Sequence, residues 1–452
     1  MTVNSRELVL AALRCQPTAR VPWIPYVGCH GGALVGKTAT EYLTEPAAVA
    51  YGLATALERY RPDGLPVIFD LQIEAEALGC QLHWSDENPP AVGSHPLAGG
   101  QPVGSLELPG PADGRYPFAL EAIRQSRELV GDRIALFGLI TGPFTLALHL
   151  LGPEIFMEMF DQPERICELT DFTAAVGRLT AEWYLAAGCD VIAVVDPMTS
   201  QISPAHFEEF VTAPARSIFG GLRERGVPGA FFVCGDAQRN LEKMCECGPD
   251  AVFVDEQIDL VGMGEIARRH GVAFGGNIPL TTVMLHGTPD DNRRAARHCL
   301  DLGGATGFLL APGCDIPYAV PPANIAAIAE VVHGEHSGQV AAGSSAAFEV
   351  EVPDYAAQEH VQVDIFTLDS AACAPCQYMV EAVEKALPQF EGRVVFVEHK
   401  LKTPETVGLM GALKVTSIPS IAIDGEVAFS SLIPEQRTLA AAIQERLTAK
   451  EQ

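Results

Sequence analysis

One local theme constrains this chain more than any other feature. Over residues 1 to 333 a short apolar run, a turn and a longer amphipathic stretch follow one another repeatedly. The runs fall at 21–27, 66–70, 134–139, 190–195, 229–233, 251–255, 272–276 and 307–311. Short apolar runs bounded by turn residues read as buried strands, and strands alternating with helical patterns read as βαβ units on a parallel sheet. Eight such units predict a closed (β/α)8 TIM barrel. The helices carry their own start signals. Ser203-Pro204 places serine at an N-cap and proline at the first helical position, ahead of Phe207, Phe210 and Val211 on one face.

Polar residues collect where the runs end: Asp70, Thr141, Asp196, Cys234, Asp255-Glu256, Asn277 and Cys314. In a parallel barrel all those ends lie on one face, the face that carries chemistry in such folds. A single polar mouth is therefore expected. Cys234 and Cys314 each close a strand and precede Gly/Asp/Pro turns, as in Val233-Cys234-Gly235-Asp236 and Pro312-Gly313-Cys314-Asp315. Thiols so placed serve as ligands for a soft metal, as redox partners or as inert core groups.

Beyond the eighth unit the pattern changes. Residues 334–356 are rich in Gly, Ser and Ala without periodicity and read as a linker, with a root-mean-square reach of about 25 Å on coil scaling. Residues 357–452 then read as βαβαββα: strand 361–367, Cys373-Ala374-Pro375-Cys376 opening a helix, strand 394–398, a short helix from Pro404, strand 420–423, a hairpin at Asp424-Gly425 and a last helix from Pro434. A C-x-x-C at the first turn of a helix puts its leading thiol among unpaired N–H groups, which lower its pKa. Cys373 is thus the expected attacking thiolate and Cys376 the resolving thiol. This part resembles the thioredoxin fold. The likeness extends to Ile418-Pro419, where such proteins keep a cis-proline facing the C-x-x-C, so Pro419 joins the expected dithiol site.

Composition excludes several classes. The net charge of −27 over 452 residues opposes nucleic acid and anionic membrane surfaces. No apolar run reaches the roughly 18 residues of a membrane span, and the N-terminus lacks the pattern of a secretory signal, so a cytoplasmic protein is expected. Twelve cysteines in a chain of this length are too sparse for a disulfide scaffold. Cys15, Cys80, Cys167, Cys189 and Cys299 read as buried thiols. Cys245 and Cys247 lie about 200° apart on a helix and read as structural.

The barrel resembles the uroporphyrinogen decarboxylase superfamily, and within it the cobamide-dependent methyltransferases. The residues that carry the likeness are 70–79 (Asp70-Leu71-Gln72-Ile73-Glu74 onward), Thr141-Gly142-Pro143, Asp196-Pro197, Cys234-Gly235-Asp236, Asp255-Glu256, Gly276-Asn277 and 312–317. True decarboxylases of that family carry an arginine-rich stretch after the first strand. Here Tyr26-Val27-Gly28-Cys29-His30-Gly31-Gly32 stands in its place, without arginine. The resemblance therefore implies methyl transfer from a methylcobamide to a thiol, with porphyrinogen decarboxylation, or a metal-free redox sensor or carrier on the same barrel, as alternatives. No Asp-x-His-x-x-Gly corrinoid module is present, so the donor arrives on a carrier protein or free. The other expected partner is a small thiol.

In those methyltransferases zinc is held by His-x-Cys after the fifth strand and by a cysteine after the eighth, and it keeps the acceptor sulfur as a thiolate. Cys234 and Cys314 match the two cysteines, whereas the histidine position is Phe232. The resemblance offers Glu256 as a third ligand, or else Cys29 or His30. Without metal, Cys234 and Cys314 are a thiol pair for the thioredoxin-like domain to reduce, or Cys234 acts alone. Asp196 is expected to anchor substrate or cofactor, or to cap a loop. Asp70, Thr141, Asn277 and His30 are expected to line the substrate and cofactor site.

Overall fold

In a computed structural model the chain is described over residues 4–335, 350–370, 374–390 and 392–450. It divides into two compact units, 1–342 and 343–452.

The first unit is built on parallel strands in the order Gly64–Pro66, Ala135–Thr141, Val191–Val195, Gly229–Val233, Ala251–Val254, Ala273–Ile278 and Phe308–Pro312. Within them, residues two apart face inward together, because side chains alternate along a strand. Ala135, Phe137 and Leu139, then Val191, Ala193 and Val195, then Ala230 and Phe232, then Leu309 and Ala311 fill one interior core. Their neighbours Leu136, Ile140, Ile192 and Val194, also buried, face the helical layer instead. Gly275 leaves space for a ring in that interior, since a Cβ there would stand 2.2 Å from Phe253.

The expected first strand, 21–27, is not a ladder strand. Trp23 forms an isolated parallel bridge with Leu310. Leu310 N donates to Pro22 O (2.9 Å), Ile24 N donates to Leu310 O (2.9 Å) and Asp63 N donates to Trp23 O (2.8 Å). The segment thus lies between the last strand and the first, in the eighth position of the ring. Pro22 and Pro25 have no N–H to give, which limits it to this short contact. The second expected strand also shifts, from 66–70 to Gly64–Pro66. Helix Ser5–Leu13, absent from the sequence reading, sends Val9, Ala12 and Leu13 into the interior core. Ser203 does cap its helix, its side chain accepting from His206 N.

The second unit has a four-stranded sheet in the order Val394–Lys400, Val361–Thr367, Ser420–Ile423, Glu426–Ser430, its first pair parallel and the rest antiparallel. Val361, Val363 and Ile365 pack with Met379, Val383, Leu439 and Ile443 of helices Ala374–Ala386 and Gln436–Lys450. Phe366 and Ala422 pack on the opposite face with Leu409 and Leu413, which belong to and follow helix Pro404–Ala412. Asp424 and Gly425 both take positive φ, 47° and 81°, as a two-residue hairpin requires. The ends of the expected linker are engaged: Glu335 pairs with Arg61, and Val350 and Tyr355 pack on the second unit. Residues 336–349 lie outside the described residues.

Candidate active site at the barrel mouth

Cys234 and Cys314 meet. They are joined by a disulfide with Cα atoms 5.8 Å apart, although 80 residues separate them in sequence and two strands intervene between theirs. Both are partly exposed. Beneath them the ring of Phe232 stands 4.9 Å from Tyr26, 6.0 Å from Phe69 and 6.2 Å from Phe253, centroid to centroid. These four aromatic side chains are buried and close the floor of the mouth to water.

The loops that present the two sulfurs are held by their neighbours. Asn277 Nδ2 donates to Asp255 O (3.0 Å) and Ile258 O (2.8 Å). The Asp255 carboxylate in turn accepts from Gly235 N (2.8 Å), next in chain to Cys234, and from Gln257 N (3.1 Å). Asn277 and Asp255 thereby position the Cys234 loop. On the other side Gly313 N donates to Ile278 O (3.0 Å). Gly313 must be glycine, because a Cβ there would lie 2.6 Å from Glu256 N. Glu256 accordingly sits against the Cys314 loop. Its carboxyl accepts from Leu280 N, and burial together with the Asp255 charge pushes its pKa up to about 8.

Other expected site residues are committed elsewhere. His30 is buried with both ring nitrogens engaged, Nδ1 donating to Tyr318 O (3.1 Å) and Nε2 accepting from Tyr60 OH (2.8 Å). Burial lowers its pKa to about 4, so it is neutral. Asp196 is fully buried. Its Oδ1 accepts from Thr145 N (2.7 Å) and Thr145 Oγ1 (2.6 Å) and its Oδ2 from Phe144 N (3.1 Å), which satisfies the first turn of helix Pro143–Leu151. Of its two expected roles, anchor or cap, these bonds are those of a cap. Burial raises its pKa to about 6. Asp70 accepts from Gln72 N (2.9 Å) and from Arg115 Nη1 (2.7 Å). Thr141 bonds Leu71 O (2.8 Å) and the carboxyl of Glu74.

Two residues escaped the sequence reading. Arg115 joins Asp70 and Glu76 and stacks its guanidinium over Trp84 at 4.7 Å. No local signal could have found it, since Asp70 is 45 residues away. Glu74 is buried beside Thr141, and it had a signal: it stands four residues after Asp70 in the same quoted stretch.

A zinc site of the expected kind needs three protein donors. Phe232 shares the inward face of its strand with Cys234, the place an imidazole would occupy, and contributes a hydrocarbon ring instead. Glu256 faces Leu280 N, His30 has no free nitrogen, and Cys29 is a buried thiol whose pKa burial and the Asp315 charge raise, which disfavours a thiolate there. Among the described residues no three His, Cys, Asp or Glu side chains form a group that could hold a metal ion. The donor set does not fit zinc.

In the second unit Glu398 accepts from Thr367 Oγ1 (2.6 Å) and Ser370 N (3.0 Å), and Lys400 and Lys402 hold Asp369 at 2.6 and 2.7 Å. These contacts brace the loop that leads to the C-x-x-C. Cys376 is buried on helix Ala374–Ala386 and the Ile418–Pro419 bond is cis, while Cys373 lies outside the described residues.

Residues 4–335 match the uroporphyrinogen decarboxylase (URO-D) family model. The chain belongs to the uroporphyrinogen decarboxylase family. Residues 361–444 match a thioredoxin domain. Among the family's members, the methylcobamide:CoM methyltransferase MtbA of Methanosarcina acetivorans is 28% identical over 332 residues, 72% of this chain and 96% of its own length. MtaA of Methanosarcina barkeri, another methylcobamide:CoM methyltransferase, is 29% identical over 334 residues, 71% of this chain and 95% of its own. The uroporphyrinogen decarboxylase of Methylococcus capsulatus is 28% identical over a shorter stretch, 61% of this chain and 81% of its own. A solved methyltransferase from Methanosarcina mazei superposes with a TM-score of 0.68 at 25% identity, covering 74% of this chain and 99% of that one. No helix among the described residues is long and apolar enough to cross a membrane.

Proposed function

We propose that this URO-D family barrel transfers a methyl group from a methylcobamide to a thiol at the mouth where Cys234 and Cys314 converge. The observation that carries the reading is that convergence: two partly exposed sulfurs from non-adjacent strands at the carboxyl ends of the barrel. MtbA and MtaA, which align with this chain over nearly their whole length, are named for methyl transfer from methylcobamide to CoM. The arginines also disfavour decarboxylation of a polycarboxylate. Arg115 is already neutralised by Asp70 and Glu76, and Arg20 is bound by Asp63.

In the reaction the acceptor thiolate attacks the methyl carbon in line. An S–CH3 bond forms, the carbon–cobalt bond breaks, and its electron pair leaves with the cobamide. The protein orients the two reactants and excludes water. The aromatic floor of Tyr26, Phe69, Phe232 and Phe253 performs the second task, and the loops held by Asn277, Asp255 and Gly313 the first. The cobamide enters as substrate, free or on a carrier protein. The C-x-x-C domain, which matches a thioredoxin domain, supplies thiol–disulfide chemistry in the same chain.

The test is loss of methylcobalamin absorbance by dithiothreitol-reduced protein with a panel of small thiols, with the methylated thiol identified by mass spectrometry. Thiol-dependent demethylation above the rate of each thiol alone is expected. No transfer to any thiol, from protein whose Cys234 and Cys314 are shown to be reduced, refutes the reading.

A further inference from the structure

The same two sulfurs carry a second chemistry. We propose that the Cys234–Cys314 disulfide exchanges directly with small thiols, which makes the barrel mouth a metal-free thiol–disulfide oxidoreductase site whose reductant is the same class of compound that accepts the methyl group. The identity of that thiol rests on the methyl-transfer reading. The exchange itself stands on sulfur geometry and donor chemistry.

The Cα separation of 5.8 Å lies in the usual range for a disulfide, and the bond ties the end of strand Gly229–Val233 to the end of strand Phe308–Pro312 across two intervening strands. The two loops are also held without it. Gly235 N donates to Asp255 on one side and Gly313 N to Ile278 O on the other, so reduction leaves the two thiols facing one another, placed to close again. Partial exposure of both residues leaves the bond open to a compact attacking thiolate, which needs no docking surface of its own. The residues that would make a metal centre of this pair are each diverted. Phe232 fills the third-ligand position with a ring packed on Tyr26 and Phe253. Glu256 accepts from Leu280 N, and the nitrogens of His30 meet Tyr318 and Tyr60. Asp255 is turned to Gly235 and Gln257, and Asp315, next in chain to Cys314, accepts from Gly28 N (2.9 Å). Two sulfurs without a third donor are a poor zinc site and a competent redox pair.

The exchange balances with the small thiol as its sole co-reactant. Its thiolate attacks one sulfur of the pair. A mixed disulfide forms, the Cys234–Cys314 bond breaks, and the electron pair leaves on the other cysteine sulfur, which takes a proton from water. A second small thiolate then attacks the sulfur contributed by the first, releasing the small-molecule disulfide and the remaining cysteine thiolate, which is protonated in turn. Two small thiols have lost two electrons and two protons, and the protein disulfide has gained them. In reverse, the small-molecule disulfide re-forms the Cys234–Cys314 bond through the same mixed disulfide.

The experiment equilibrates the full chain in buffers of reduced and oxidised glutathione, quenches with acid, alkylates the free thiols and digests. Mass spectrometry then reads the fraction of Cys234–Cys314 peptide. A two-electron couple is expected to pass from about nine-tenths disulfide to about one-tenth over about a 100-fold rise in the ratio of squared thiol to disulfide. Mouth cysteines alkylated at every ratio, or a linked peptide that no ratio diminishes, overturn the proposal. With oxidised glutathione, Cys314→Ser is expected to carry a glutathione adduct on Cys234, or Cys234→Ser one on Cys314, in more than about half of the chains; an adduct at neither overturns it. A chain carrying both Cys373→Ser and Cys376→Ser is expected to equilibrate within about threefold of the wild-type rate, because no step passes through the C-x-x-C, and a larger slowing overturns direct exchange. Wild-type protein produced with zinc in the medium is expected to hold under about a tenth of a zinc per chain. Near-stoichiometric zinc, lost in Cys314→Ser, overturns the metal-free site. Exchange without thiol-dependent demethylation sinks the methyltransferase reading alone, and demethylation without exchange sinks this one alone.

Discussion

Glu74 offers a stringent test of the fold, because its hydrogen bonds imply its protonation state. The carboxyl is 1% exposed, and burial raises its pKa to about 7 from an ordinary 4.5. Oε1 accepts from Thr141 N (3.0 Å), and Oε2 lies 2.9 Å from Thr141 Oγ1, which also contacts Leu71 O at 2.8 Å. A hydroxyl has one proton. A protonated Glu74 donates from Oε2 to Thr141 Oγ1, leaving that hydroxyl free to donate to Leu71 O, and every group is satisfied. Glu74→Gln keeps the pattern, with its amide N–H replacing the acid O–H and its carbonyl still accepting from Thr141 N. Because the folded pKa is raised, the stability associated with Glu74 is fully present below pH 4.5 and is lost as pH rises through about 7. Integrated between pH 5 and pH 8, the loss is about 2–3 kcal/mol, undiminished by solvent screening at a buried site. The variant lacks that loss. All three tryptophans, Trp23, Trp84 and Trp183, lie in the barrel, so urea unfolding followed by tryptophan fluorescence reports that unit alone. The variant is expected to match wild type near pH 5 and to exceed it by about 2–3 kcal/mol at pH 8. Equal pH dependence in the two proteins would refute the assignment of a neutral carboxyl.

Three further outcomes follow from the same geometry. Phe232→His returns an imidazole to the inward face shared with Cys234 and is expected to raise zinc from under about a tenth to near one per chain, at a cost of about 1–3 kcal/mol in lost ring packing; an equally zinc-free variant would show that Phe232 is not what excludes the metal. Arg115→Ala leaves the Asp70 carboxylate, whose side chain is 0% exposed, without its cation, and should destabilise the barrel by about 3–5 kcal/mol in urea unfolding. A loss below about 1 kcal/mol would contradict the buried pairing. Gly275→Ala drives a methyl to 2.2 Å from the Phe253 ring and is expected to cost about 1–3 kcal/mol in the same assay, whereas an unchanged midpoint would mean that the aromatic floor yields freely.

By itself the sequence determined the local grammar: where apolar runs become strands, that the runs alternate with helices, and that Cys234 and Cys314 each end one. Strand Gly229–Val233 and strand Val361–Thr367 fall where the reading put them, because a short buried strand is written in consecutive residues. The ring position of residues 21–27 was legible, but its hydrogen bonding was not, since prolines deny it a ladder and the partners Leu310 and Asp63 lie far along the chain. Only the tertiary structure decided what each polar strand-end residue touches. Asp196 turned to the first turn of a neighbouring helix, His30 to two tyrosine oxygens, Asp70 to Arg115, and the two sulfurs to each other. The physical reason is that a side chain's polar partner is chosen by through-space proximity, and in a closed barrel the nearest donor or acceptor is often a strand away and tens of residues distant.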